Sequence, residues 1–328
     1  HRGGWQFLTG PENEYRIEFG FSLLNYVVSR FTGDVHVFMA VAAAILVGLE
    51  AIVLYRDCAI PWLGMFLFVS FNFFGNSMSF IRQSFAIAIF LFAIRYLKEK
   101  RWLPYLGIVL LAATFHKSIL ILLPFYFLAQ LPIHWKTITL YAGGTLLVSL
   151  LFWPIFQVVT RFVYQFYATE EGLYFLRGRS WQTALIPVLM TITALLTKKL
   201  LLQRNSQNKV LIHLALCTGA LFVLTCQHYI FQRIGNIFFA SAVFLIPEIL
   251  KSICVETDVW KEEESKRHQS EAERKRRLKE RRRMQSRANW HKQYYFYGVG
   301  VTIFFGILYY VWFLLQNRIN LIPYVTFF

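Results

Sequence analysis

Three polar turns hold the residues of this chain best suited to chemistry. Arg82-Gln83 opens an apolar segment after Gly75-Asn76-Ser77-Met78-Ser79. His116-Lys117-Ser118 interrupts a second segment, and Arg233 follows Gln227-His228-Tyr229 ahead of a third. Guanidinium groups are planar forks that match phosphate and carboxylate oxygens, and helix N-termini add N–H donors and partial positive charge. The combination points to an anion: phosphate, pyrophosphate or carboxylate. Histidine ordinarily titrates at about 6.5, so His116 is the residue suited to move a proton. Glu18 is the carboxylate expected to pair with the arginines. Each residue alone has a plainer reading: a snorkelling anchor for an arginine, a hydrogen-bonding cap for His116, a solvated charge for Glu18. Two such arginines beside histidines in neighbouring turns are harder to explain that way.

The elements that must position them are membrane helices. Of the 328 residues, 56% are hydrophobic and only 16% charged, with a mean hydropathy of +0.45. Apolar runs of about 20 residues, enough to cross a hydrocarbon core of about 30 Å, recur throughout. The reading is an all-α, polytopic inner-membrane helical bundle with about ten transmembrane segments. They are expected near 35–55, 59–77, 80–97, 102–115, 119–131, 137–155, 181–200, 210–226, 237–253 and 294–315.

Charge orients the bundle. The formal net charge is +16, yet 14 of the 34 Lys and Arg fall between Lys251 and Lys292, against 8 Asp and Glu. That run and the clusters Arg95-Lys98-Lys100-Arg101 and Lys198-Lys199-Arg204-Lys209 mark cytoplasmic gaps. The opposite, external gaps then hold Arg82-Gln83, His116, Arg177 and Arg179, and Gln227-His228 with Arg233. Residues 102–131 have cytoplasmic flanks on both sides and a charge in the middle. A charge near the bilayer centre costs at least ~2.5–3.5 kcal/mol, so a hairpin with His116 at its outer tip is expected.

Residues 1–34 form an external N-terminal segment with an interfacial helix beginning near Glu18, and 35–254 the bundle. Within the bundle, 156–180 is an external loop rich in aromatics and arginine. Residues 255–292 make a basic cytoplasmic helix or loop near anionic lipid rather than a nucleic-acid site. Residues 293–328 supply the last span and an external tail. The chain starts at His1 with no signal-peptide pattern and is read as lacking an upstream span. Four cysteines show no metal or disulfide spacing. HExxH, Walker, GxSxG and DxD patterns are absent, so no metal and no cofactor are expected.

These residues resemble the EpsG/Wzy-like family of bacterial polysaccharide polymerases. The likeness rests on EFGFSLLNYVV at 18–28, SFIRQSFAIAIFLFA at 79–93, LAATFHKSILILLPFYF at 111–127, QRIGNIFFASAVFLIPEIL at 232–250 and NLIPYVTFF at 320–328. It implies a glycosyltransferase of the bacterial inner membrane that joins repeat units carried on undecaprenyl pyrophosphate at the periplasmic face. A flippase and a chain-length regulator are the implied partners. By residue, the family pattern falls on Arg82 and Gln83, Phe115 and His116, Arg233, and Pro323 with Tyr324. The basic run at 255–292 departs from it. On this reading Arg82 and Arg233 hold pyrophosphate and His116 is base or donor. Gln83, Arg177, Arg179, Gln227, His228, Glu18 and Tyr324 contact substrate. A flippase or transporter of lipid-linked glycans, and a membrane acyltransferase, remain the alternatives; sparse mid-span polar groups such as Asn72 and His213 weigh against the former.

Overall fold

The computed structural model describes residues 18–162, 181–254 and 271–316, and among them all regular structure is helical. A short helix α1 (Phe19–Ser29) precedes α2 (Val35–Asp57), which starts where the Asp34 carboxylate accepts the His36 backbone N–H at 2.8 Å. There follow α3 (Pro61–Ser70), α4 (Phe73–Ser79), α5 (Ile81–Lys98) and α6 (Trp102–Ala113). A 3-10 turn at Lys117–Ile121 leads to α7 (Leu122–Leu128), α8 (Trp135–Leu150) and α9 (Phe152–Phe162). The second half comprises α10 (Trp181–Leu196), α11 (Lys198–Arg204), α12 (Lys209–Thr225), α13 (Ile230–Phe239), α14 (Ala242–Cys254) and α15 (Glu271–Gln316).

Ten full spans do not emerge. Among the described residues three helices are long and apolar enough to cross a membrane: α2, α12 with its preceding turn, and the 293–315 part of α15. The number rises to six if the bent pairs α8–α9, α10–α11 and α13–α14 each count as one. The expected crossing at 59–77 is cut by Asn72, which sits in the left-handed region at φ 61°. Its amide donates to Asn76 Oδ1 and folds over Gly75, where a Cβ would lie 2.1 Å from Asn72 Oδ1. The crossing at 237–253 is broken at Ala240–Ser241 with a 45° bend, and the one at 181–200 at Thr197 with 64°. Of the aromatic loop expected at 156–180, residues 156–162 are helical in α9, and 163–180 lie outside the described residues. The basic helix and last span form one continuous α15. No proline or glycine intervenes between Glu271 and Tyr297 to stop it.

Residues 102–131 do double back. Trp102 packs edge-on against Tyr126 at 4.7 Å, and the Tyr105 hydroxyl donates to the Leu122 carbonyl at 2.6 Å. Tyr126 donates to the Lys100 carbonyl, and Gln130 to that of Leu97. Both flanks therefore reach the same end of the bundle. That end also gathers Lys209, bonded to the Gln130 carbonyl, and Arg204, paired with Glu248 at 2.9 Å. The basic clusters share one end, and α5 runs from there to Arg82 at the other.

The centre of the bundle is α12, flanked by α8, α10, α13 and α14. Lipid supplies no hydrophobic drive between helices, so close approach matters. Gly219 lets Thr191 sit where a Cβ would meet its Oγ1 at 2.8 Å, and Gly235 of α13 does the same for the Phe222 ring. His213, buried in α12, has both ring nitrogens engaged: Nε2 with the Leu131 carbonyl at 2.9 Å, Nδ1 with the Tyr141 hydroxyl at 2.8 Å. The carbonyl can only accept, so Nε2 carries the proton and Nδ1 accepts from Tyr141. Here a mid-span histidine is a rivet.

Candidate functional site

The site is built where α1, α5 and the hairpin turn meet. Helix α1 docks by its first turn: the Gly20 backbone N–H donates to the Thr114 carbonyl at 2.7 Å. Only glycine permits this approach, since a Cβ at position 20 would lie 2.4 Å from Thr114 Oγ1 and 3.0 Å from the Phe115 ring. Phe115 in turn stacks on Phe85 at 5.4 Å and 17°, a contact worth about 0.5–1.5 kcal/mol beyond its area. Phe85 stands one helical turn after Arg82. One backbone hydrogen bond, one close approach at Gly20 and one ring pair thus bring three polar side chains together.

At their junction Arg82 Nη1 donates to Glu18 Oε2 at 2.6 Å, and His116 Nδ1 lies 3.3 Å from Glu18 Oε1. The second contact is at ion-pair distance but lacks the alignment of a hydrogen bond. Glu18 is largely covered, with 9% of its side chain exposed, whereas Arg82 is 41% exposed. Burial pushes the Glu18 carboxyl up. The His116 imidazole, the local backbone and the Arg82 charge outweigh it and hold the group down at about 2. Glu18 is therefore a fixed anion that orients two cationic or proton-bearing partners. His116 Nδ1 is sealed against Glu18 while the ring keeps 28% exposure, so the far edge of the imidazole, Nε2, is the atom on the accessible side.

Arg82 sits at the second position of α5, as the sequence reading required of a residue reinforced by a helix N-terminus. Arg233 does not. It lies inside α13, which begins at Ile230, because nothing between Tyr229 and Gly235 interrupts the helix. Its guanidinium stands over the Phe80 ring at 5.1 Å, a cation–π contact beside the start of α5. Gln83 explains why: its amide nitrogen donates to the Arg233 backbone carbonyl. Gln83 is 6% exposed, so it clamps α5 to α13.

Gln227 and His228 form an adjoining cluster. Ser149 donates to Gln227 Oε1 at 2.8 Å, and His228 stacks on Phe152 with ring centres 3.6 Å apart. Phe152 also contacts Phe231 of α13, two residues before Arg233. Arg177, Arg179 and Tyr324 lie outside the described residues. Among the described residues no group of three His, Cys, Asp or Glu is arranged to hold a metal ion.

One acidic side chain escaped the sequence reading. Glu50, in α2, is 3% exposed, and its Oε2 has no partner. It faces a cavity of about 20 Å³, room for one water, that is also lined by Ser84 of α5, two residues beyond Arg82. The available signal is an acid in the apolar interior of the helix, seven residues before its terminal Asp57.

This geometry, a cationic cluster around one carboxylate at the end of an apolar bundle opposite its basic end, suits an anionic substrate reached at a membrane surface. No curated protein and no solved structure matches the chain. Residues 5–259 match the model of the EpsG family. The match spans α1 to α14 and every described residue of the site, so the chain belongs to the EpsG family, membrane proteins of the polysaccharide polymerase type.

Proposed function

We propose that this protein polymerises oligosaccharide repeat units carried on undecaprenyl pyrophosphate, at the external face of the bacterial inner membrane. The observation that carries the reading is the Glu18–Arg82–His116 cluster. A hydroxyl of one lipid-linked chain attacks the anomeric carbon of another. The new bond forms to that carbon, the bond from it to the phosphate oxygen breaks with its electron pair, and lipid pyrophosphate departs. The hydroxyl proton passes to His116 Nε2.

Each residue has a derived part. Glu18 faces Nδ1, favouring the tautomer with Nδ1–H and leaving Nε2 to accept, then stabilises the imidazolium that results. Its low pKa makes it a poor base itself. Arg82, preorganised by Glu18 and aided by the N-terminus of α5, meets the negative charge that grows on the departing pyrophosphate. Arg233, fixed by Gln83 and Phe80, supplies a second cation to the same group. Arg177, Arg179 and Tyr324, with Gln227 and His228, are assigned to glycan and lipid phosphate.

Sidedness separates this reading from a flippase. Loss of a polymerase leaves single repeat units at the external face or capped onto an acceptor. Loss of a flippase traps lipid-linked units on the cytoplasmic face. Accessibility of the accumulated unit to an impermeant glycosidase in intact deletion cells decides it: digestion is expected, and protection until the membrane is opened overturns the polymerase reading.

A further inference from the structure

Beside the polar cluster lies a groove that no step above uses. Helices α8 and α10 pack on α12 rather than closely on one another, and between them opens a cavity of about 440 Å³, within the usual range for sites that hold small molecules. Its walls are kept low by small residues, Ala142 on α8 and Gly219 and Ala220 on α12. The threonine hydroxyls along it are spent on backbone carbonyls of the helices that form it. Thr145 donates to the Tyr141 carbonyl at 2.7 Å, and Thr191 to those of Pro187 and Ala215. What the groove presents is therefore apolar surface, open on its flank, where Leu146 and Val223 are 60% and 49% exposed.

One end is different. The groove runs along α12 from Leu216 to Gln227, eleven residues or about 16 Å at 1.5 Å per residue, and stops at the Ser149–Gln227 hydrogen bond. His228 follows directly, and the chain then turns so that α13, which carries Arg233, packs back on α12 with Gly235 against the Phe222 ring. An apolar trough ending at amide and imidazole groups, at the end of the bundle that also holds Arg82 and Arg233, fits a molecule with a long hydrocarbon tail and an anionic head.

We infer that this groove binds the head-proximal part of the polyprenyl chain of the lipid-linked substrate, delivering its pyrophosphate to Arg233 and Arg82. The inference rests on the proposed function for the identity of the head group. It commits to a polyprenyl chain rather than a phospholipid tail because the polar end of the groove, at Gln227 and His228, lies at the same end of the bundle as Arg82 and Arg233.

The test is photo-crosslinking of the purified full chain with a polyprenyl pyrophosphate bearing a diazirine within its first few isoprene units. Crosslinks are expected in Ile138–Ser149 and Leu216–Gln227, suppressed by unlabelled long-chain polyprenyl pyrophosphate and not by equal phosphatidylglycerol. Ala142→Phe and Ala220→Phe, each filling the trough, should lower the crosslink yield at least tenfold. Crosslinks confined to other helices, or equal suppression by phosphatidylglycerol, overturn the inference, and wild-type protein alone suffices for both outcomes if a variant fails to fold. No turnover is needed, so crosslinks here without chain elongation would sink the polymerase reading and leave the groove standing. Elongation with crosslinks elsewhere would do the reverse.

Discussion

Arg82 donates to Glu18 at 2.6 Å although 64 residues of chain separate them. That contact ties the amphipathic segment ahead of the bundle to the first turn of α5. It makes the arginine a preorganised donor instead of a loose anchor. The same carboxylate turns His116, so a single anion sets the orientation of both groups.

Arg82→Lys and Arg233→Lys keep charge but lose the planar fork. On this account each lowers elongation by on the order of 10²-fold, the scale for removing one preorganised donor to a developing anion. Product length on gels, normalised to protein in the membrane, measures it. Wild-type length from both well-expressed variants would reduce these arginines to anchors.

The docking of α1 has its own test. Gly20→Ala sets a methyl against Thr114 Oγ1 at 2.4 Å and should cost about 1–3 kcal/mol by overpacking. Thr114→Ala removes the struck oxygen, so the double variant should recover much of the thermal stability and activity lost by Gly20→Ala. Additive losses would mean that the two residues do not touch.

The pH dependence follows from Glu18. Its folded pKa, about 2, lies below the ordinary 4.5, so the ion cluster contributes its full stability above pH 4.5. That contribution is lost as pH falls toward 2. The difference in melting temperature between wild type and Glu18→Gln should shrink as pH falls from about 4.5 toward 2. A difference that stays constant or grows over that range contradicts the assignment.

Much of this was legible because polar residues in an apolar chain have few places to go. Glu18, Arg82 and His116 were expected on one side, and the hairpin followed from flanks of like charge. Other features depend on helix rotation and helix–helix contact, which apolar sequence barely encodes. Gln83 reads as a substrate contact until the position of α13 shows its amide donating to the Arg233 carbonyl. Arg233 reads as a helix-start residue until α13 is seen to begin at Ile230. Breaks such as Asn72 shorten spans that hydropathy alone runs together. Glu50 is hidden in the sequence because an acid inside so apolar a helix barely disturbs its mean hydropathy.

The hairpin predicts labelling. Lys117 is exposed, whereas Ser118 Oγ is buried, so a lone cysteine at 117 reports the turn better than one at 118. In intact cells position 117 should react with an impermeant reagent, and positions 101 and 134 only after permeabilisation. External reaction at 134 would contradict the shared flank.

The most direct measurement gives the purified chain a synthetic undecaprenyl-pyrophosphate-linked repeat unit in detergent, where no sidedness exists. Glycan length and released lipid pyrophosphate are then followed together for wild type and His116→Ala. Proximity and leaving-group stabilisation need no gradient. A ladder of longer glycans is expected, with one lipid pyrophosphate released per unit joined, slowed by roughly 10²–10⁴-fold in His116→Ala. Folded wild-type protein that elongates nothing would rule out polymerisation, and His116→Ala that matches wild type in both readouts would rule out the role of His116.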